Sequence, residues 1–101
     1  MKEQVQGGSP APRRVRVRYE GRVQGVGFRF TAVDLGARFN ITGFVRNEVD
    51  GSVELVAEGE EPVLRAFLGA IRLSPLRRYI TGEEASWSDG SGEFGGFGVK
   101  F

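Results

Sequence analysis

The chain has 101 residues, enough for one domain and too few for two that would each bury a core. Its 40% apolar content and eight Phe exclude intrinsic disorder, and a net charge of +1 gives no electrostatic case for a nucleic-acid or membrane partner. It contains no Cys and no His, which excludes a disulfide framework, a thiolate nucleophile, a zinc ribbon and the commonest general base.

Residues 1–13 are polar and rich in Gly and Pro, and they read as a mobile tail ahead of a single domain over residues 14–101. The tail lacks the apolar run of a signal peptide, and no stretch is long enough to span a bilayer, so a soluble cytoplasmic chain is expected. From Arg14 the pattern alternates strictly. Val15, Val17 and Tyr19 fall on one face, with Arg14, Arg16, Arg18 and Glu20 on the other, which predicts a half-buried strand. A Gly-rich turn, Gly21 to Gly27, follows it. Phe28, Ala32, Leu35 and Phe39 then recur near helical spacing, predicting a helix over 28–39 with Asn40 as its C-terminal cap.

A second strand is predicted over Ile41 to Glu48, then a hairpin turn at Asp50-Gly51, then a third strand carrying Val53, Leu55 and Ala57. Glu60, Glu61 and Pro62 open a second helix whose apolar stripe is Leu64, Phe67, Leu68 and Ile71; Ser74-Pro75 ends it. Tyr79 to Trp87 and Phe94 to Phe101 read as final strands around the polar turn Ser88 to Gly92. The order βαββαβ, with a possible extra C-terminal strand, predicts an α+β, ferredoxin-like split βαβ fold: an antiparallel sheet covered by two helices on one face. That fold hosts many unrelated functions, so the chemistry has to be read from particular residues.

Gly21-Arg22-Val23-Gln24-Gly25-Val26-Gly27-Phe28-Arg29 joins a strand to a helix. Backbone N–H groups in such a turn converge on an anion, and the helix N-terminus adds partial positive charge. Gly25 and Gly27 permit positive φ and close approach of a ligand, and Arg29 lies within reach of the same anion through two donors. Taken alone, the two glycines read more readily as a tight turn, and a lone Arg at a helix start as a solvated side chain. The dinucleotide fingerprint fails, because Phe30 stands where its third Gly belongs, and no Gly-Lys-Ser/Thr follows to make a P-loop.

The run from 21 to 29 resembles the first signature of the acylphosphatase family, and Gly43-Phe44-Val45-Arg46-Asn47, followed by Gly51, Val53 and Gly59, resembles the second. The resemblance extends over the element pattern from Val15 to the C-terminus and is strongest from 21 to 59. It implies hydrolysis of the carboxyl–phosphate bond of acyl phosphates. It places the family's catalytic Arg on Arg29 and its catalytic Asn on Asn47, which orients the attacking water. The main chain of Gln24, Gly25, Val26, Gly27 and Phe28, with Arg29, would bind the phosphate. Asn47 alone would read as a turn-stabilising residue; the two motifs in register favour the catalytic role. Tyr19 stands where the family usually has an aliphatic residue, Phe44 where Trp is commoner, and Asn40 where Gly is usual. The segment Ser74 to Arg78 is a less typical loop that bears on substrate access.

This chemistry needs few groups. The leaving carboxylate has a conjugate acid of pKa roughly 4 to 5, so what remains is to neutralise phosphoryl charge and to place a water in line. No carboxylate cluster has metal-ligand spacing, since Glu58, Glu60 and Glu61 read as a turn and a helix start. The expectation is therefore a monomeric hydrolase needing no metal or other cofactor, acting on a small-molecule acyl phosphate, with no nucleic-acid or membrane partner. Two competing readings are an RNA-binding module, for which the strand aromatics are wrong, and a small-anion-binding domain without turnover.

Overall fold

The computed structural model describes residues 12–101; the tail expected over 1–13 lies, as far as residue 11, outside the described residues. Strand β1 (Arg13–Gly21) buries Val15, Val17 and Tyr19 completely and turns Arg14, Arg16 and Arg18 to the other face, as the alternation predicts. Helix α1 (Phe28–Gly36) is shorter than its periodicity suggests. Arg38 N–H bonds to Leu35 O and Phe39 N–H to Gly36 O, the tighter three-residue spacing that closes a helix end. Ala37 is therefore the C-cap and Asn40 is not. The cause is tertiary: Phe39 turns inward to meet Phe67 at 5.7 Å, and the Phe97 ring lies so close that a Cβ on Gly36 would stand 2.9 Å from it.

Strands β2 (Thr42–Asn47) and β3 (Val53–Gly59) form the expected hairpin, and helix α2 (Glu61–Arg72) buries Leu64, Phe67, Leu68 and Ile71. Glu60 is the N-cap of α2, and Pro62 occupies its first turn, where a missing N–H costs nothing. The Ser74-Pro75 break becomes a short 3-10 helix, Pro75–Tyr79, capped by the Ser74 hydroxyl, which accepts from Leu76 N–H. The last two strands differ from expectation in extent. β4 (Ile80–Asp89) runs two residues past Trp87, because Ser88 and Asp89 still pair with Arg14 and Arg13 of β1. β5 is only Phe97–Val99, since Phe94 leaves the strand path to meet the Phe44 ring edge-on at 5.7 Å.

The sheet order is β4-β1-β3-β2-β5. β1 is antiparallel to both β3 and β4, β2 is antiparallel to β3, and β5 runs parallel to β2. This is the ferredoxin-like split βαβ arrangement with the additional C-terminal strand. Both helices lie on one face, over a core of Val15, Val17, Val45, Leu55, Phe67 and Ile71 among others.

On the uncovered face the Arg residues of β1 are not simply solvated. Arg14 pairs with Glu58, and Glu54 is shared between Arg16 and Arg46. Glu54 and Glu58 are buried at 6% and 3% exposure, so the face is a neutralised ladder of ion pairs. A groove of about 220 Å³ on this face sets Glu48, Glu54 and Glu84 against Arg16 and Arg18, which makes it a poor seat for a phosphate dianion. The Gly-rich turn and Asn47 lie at one end of the sheet. β1 and β2 flank β3 and run parallel to each other, so the turn after β1 and the turn after β2 emerge together.

Candidate active site

The turn after β1 is anchored at both ends. Gly21 has φ 123°, and a Cβ there would fall 2.2 Å from Tyr79 O; Arg22 N–H donates to that same carbonyl at 3.0 Å. Val23 is fully buried beneath the turn, and Phe28 is buried at its far end. Between these anchors Gly25 and Gly27 adopt φ 79° and 80°, the left-handed region that glycine enters without penalty. A Cβ at either would meet no protein atom within 4 Å, so the loop is open on the side a ligand would approach.

Gly27 is the N-cap of α1 and supplies no side-chain cap; the helix begins with Thr31 N–H donating to Gly27 O at 3.0 Å. The N–H groups of the first turn, Phe28 to Phe30, consequently have no helical acceptor and no capping oxygen. The first turn also contains no acidic residue. An anion at that point gains both the N–H donors and the helix dipole. Arg29 is half-buried in this turn, and its guanidinium lies 5.2 Å from the Phe101 ring centroid. Among the described residues it pairs with no carboxylate, whereas Arg14, Arg16, Arg18, Arg46, Arg65 and Arg72 all do.

Asn47 ends β2 opposite Val53, on the same strand face as the fully buried Val45, and is itself half-buried. The hairpin beyond it is closed without its help. Glu48 N–H donates to Ser52 O at 2.8 Å, Gly51 N–H to Glu48 O at 3.2 Å, and the Ser52 N–H and hydroxyl to Asp50 Oδ1 at 3.0 and 2.6 Å. The turn-stabilising role falls to Asp50. Its carboxyl is held down at about 2 by the Ser52 hydroxyl, the Ser52 N–H and the Arg18 guanidinium.

The turn containing Gln24 to Phe28, with Arg29 behind it, thus lies at the end of the sheet to which β2 delivers Asn47. One connection between the two is absent from any sequence reading. Gln24, assigned only through its main chain, directs its side-chain amide across the gap, and Nε2 donates to Glu48 O at 2.7 Å and Ser52 O at 2.9 Å. The partners are 24 and 28 residues away, so no local pattern could reveal them. Among the described residues no group of three His, Cys, Asp or Glu side chains is placed to hold a metal ion, and no helix is long and apolar enough to cross a membrane.

Comparison with known proteins bears on the family and the fold. The acylphosphatase family model matches residues 15–99. An acylphosphatase of Salinibacter ruber is 42% identical over 88 residues, covering 87% of this chain and 93% of its own. The crystal structure of acylphosphatase from Bacillus subtilis superposes with a TM-score of 0.78 at 30% identity, covering 88% of this chain and 99% of its own. Full-length HypF in its phosphate- and nucleotide-bound form contains a region of the same fold, with a TM-score of 0.79 at 24% identity, covering 95% of this chain but 13% of HypF. With a family match spanning nearly all of the described domain and relatives aligned over almost their whole length, this chain belongs to the acylphosphatase family, hydrolases that act on acyl phosphates.

Proposed function

We propose that the phosphoryl group of a small-molecule acyl phosphate sits in the turn of Gln24, Gly25, Val26, Gly27 and Phe28, held by their main-chain N–H groups and by the Arg29 guanidinium. Asn47 orients a water in line with the scissile P–O bond. The water oxygen bonds to phosphorus, the P–O bond to the acyl carbon's oxygen breaks, and the carboxylate leaves with its electron pair. The water's proton passes to a phosphoryl oxygen of the substrate, because Asn47 has no useful basicity. The products are a carboxylate and inorganic phosphate. Fixed N–H dipoles and a guanidinium stabilise the charge spread over the phosphoryl oxygens, which is the main requirement of this reaction.

The observation that carries this reading is the pairing of an uncapped helix N-terminus with an Arg that no described carboxylate neutralises. Every Arg of the β1 stripe is already ion-paired, which weighs against an RNA-binding role for that face. The same reading takes the chain as a cytoplasmic monomer working without a metal, a nucleic acid or a membrane.

The test is hydrolysis of benzoyl phosphate by the purified chain with a chelator present. The wild-type chain should turn over, and Arg29→Ala should lose at least about a hundredfold, equivalent to roughly 3 kcal/mol of transition-state stabilisation. Asn47→Ala should lower kcat more than it weakens competitive inhibition by phosphate. A folded chain that binds phosphate and hydrolyses nothing would instead be an anion-binding domain.

A further inference from the structure

The two carbonyls that Gln24 reaches are not arbitrary. Glu48 follows Asn47 directly, and Ser52 precedes Val53, the residue opposite Asn47 in the β2–β3 register. They are also the acceptors that close the hairpin, since Ser52 O takes the Glu48 N–H and Glu48 O takes the Gly51 N–H. A carboxamide nitrogen has two hydrogens to donate, and both are spent on this one turn. Two facing carbonyl oxygens also fix which end of the amide points at the hairpin. Gln24 itself sits in the open phosphate loop, just ahead of Gly25.

We propose that the Gln24 side chain is a positioning residue: it clamps the phosphate loop to the turn behind Asn47 and so fixes the water held by Asn47 relative to the phosphoryl group. This rests on the assignment of Arg29 and Asn47 above. Phosphate is gripped from the loop and α1 side alone, by groups whose arrangement depends on the Gly torsions and on the buried Val23 and Phe28. The attacking water is placed from the other side, by β2. Gln24 supplies side-chain hydrogen bonds from the loop to the hairpin, where the two sides must agree. Small misplacement of a reacting group costs rate steeply, up to about a hundredfold per ångström, without weakening binding. Loss of the clamp should therefore appear in kcat and not in phosphate affinity.

Gln24→Met keeps the length of the side chain and removes both donors. Its kcat on benzoyl phosphate should fall by about tenfold or more, with the inhibition constant of inorganic phosphate within about twofold of wild type. In an Asn47→Ala background the same substitution should produce no further fall, because there is no longer a positioned water to misplace. A kcat within about twofold of wild type overturns the role, as does a rise in the phosphate constant that matches the loss of kcat, or a loss that multiplies with that of Asn47→Ala. If Gln24→Met does not fold, Gln24→Asn, which keeps the amide but shortens its reach, is read by the same criteria. Wild-type turnover with an unaffected variant rejects the clamp alone. An inactive wild-type chain rejects the catalytic assignment and the clamp with it.

Discussion

The rings of Tyr19 and Phe28 meet with centroids 4.9 Å apart and planes inclined at 51°, so the last buried residue of β1 braces the first residue of α1 across the base of the Gly-rich turn. The contact makes the loop a closed arch, its two feet held together in the core. The Tyr19 ring contributes aromatic packing that an aliphatic side chain would not.

The Tyr19 hydroxyl is buried without a hydrogen-bond partner. Burial, then the Glu83 carboxylate, push the phenol above its usual range, with Arg72 opposing, so the group stays neutral and unpaired. Such a hydroxyl carries a desolvation cost and returns little. Tyr19→Phe keeps the stacking and deletes the cost, and it should raise stability by about 1 kcal/mol. The measurement is the urea midpoint at unchanged slope. A lower midpoint would mean that the hydroxyl has a partner in solution.

Acid should unfold the protein partly through Glu58. Burial alone would push this carboxyl up, but the Ser91 and Gly92 N–H groups, the Arg14 guanidinium and the Ser91 hydroxyl outweigh it and hold the group at about 2. A carboxyl depressed in the folded state stabilises that state fully above its ordinary value of 4.5. The contribution is lost as pH falls from there toward about 2. Stability against urea should accordingly be level above the window and decline within it. Glu58→Gln should lower the level region and flatten the decline. Some slope should survive in the variant, because Asp50 is also held at about 2. A variant that loses stability with acid as steeply as wild type would assign the decline to other groups.

Gly43 and Gly25 separate two reasons for glycine. Gly43, in β2, has φ 137°, and a Cβ on it would fall 1.9 Å from Val56 O of β3. Gly25 has φ 79° with open space around it. Gly43→Ala must push β2 away from β3 and should cost about 3 kcal/mol or more. Gly25→Ala meets only the torsional penalty of the left-handed region, about 1–2 kcal/mol. Equilibrium unfolding of the two variants checks the difference. Equal losses would show that torsion, not the backbone contact, governs both sites.

Much of this protein was legible in order along the chain. Strict alternation from Arg14 marks β1 because side chains on a strand point to opposite faces, and Asp50-Gly51 marks the hairpin because Gly51 must take φ 95°. The two motifs at 21–29 and 43–59 carry the family, and with it the expected places of Arg29 and Asn47. These features depend on a residue's own torsion and on neighbours a few positions away. The features that escaped depend on which distant residue the sheet register brings alongside. Gln24 meets Glu48 and Ser52 only because β1 and β2 finish at the same end of the sheet, on either side of β3. α1 stops at Gly36 because Phe97 of the last strand lies against it, and the Arg stripe of β1 is neutral because β3 sets Glu54 and Glu58 beside it. Periodicity shows that a side chain faces inward or outward; the partner it finds there is set by strands and helices packing together from separate parts of the chain.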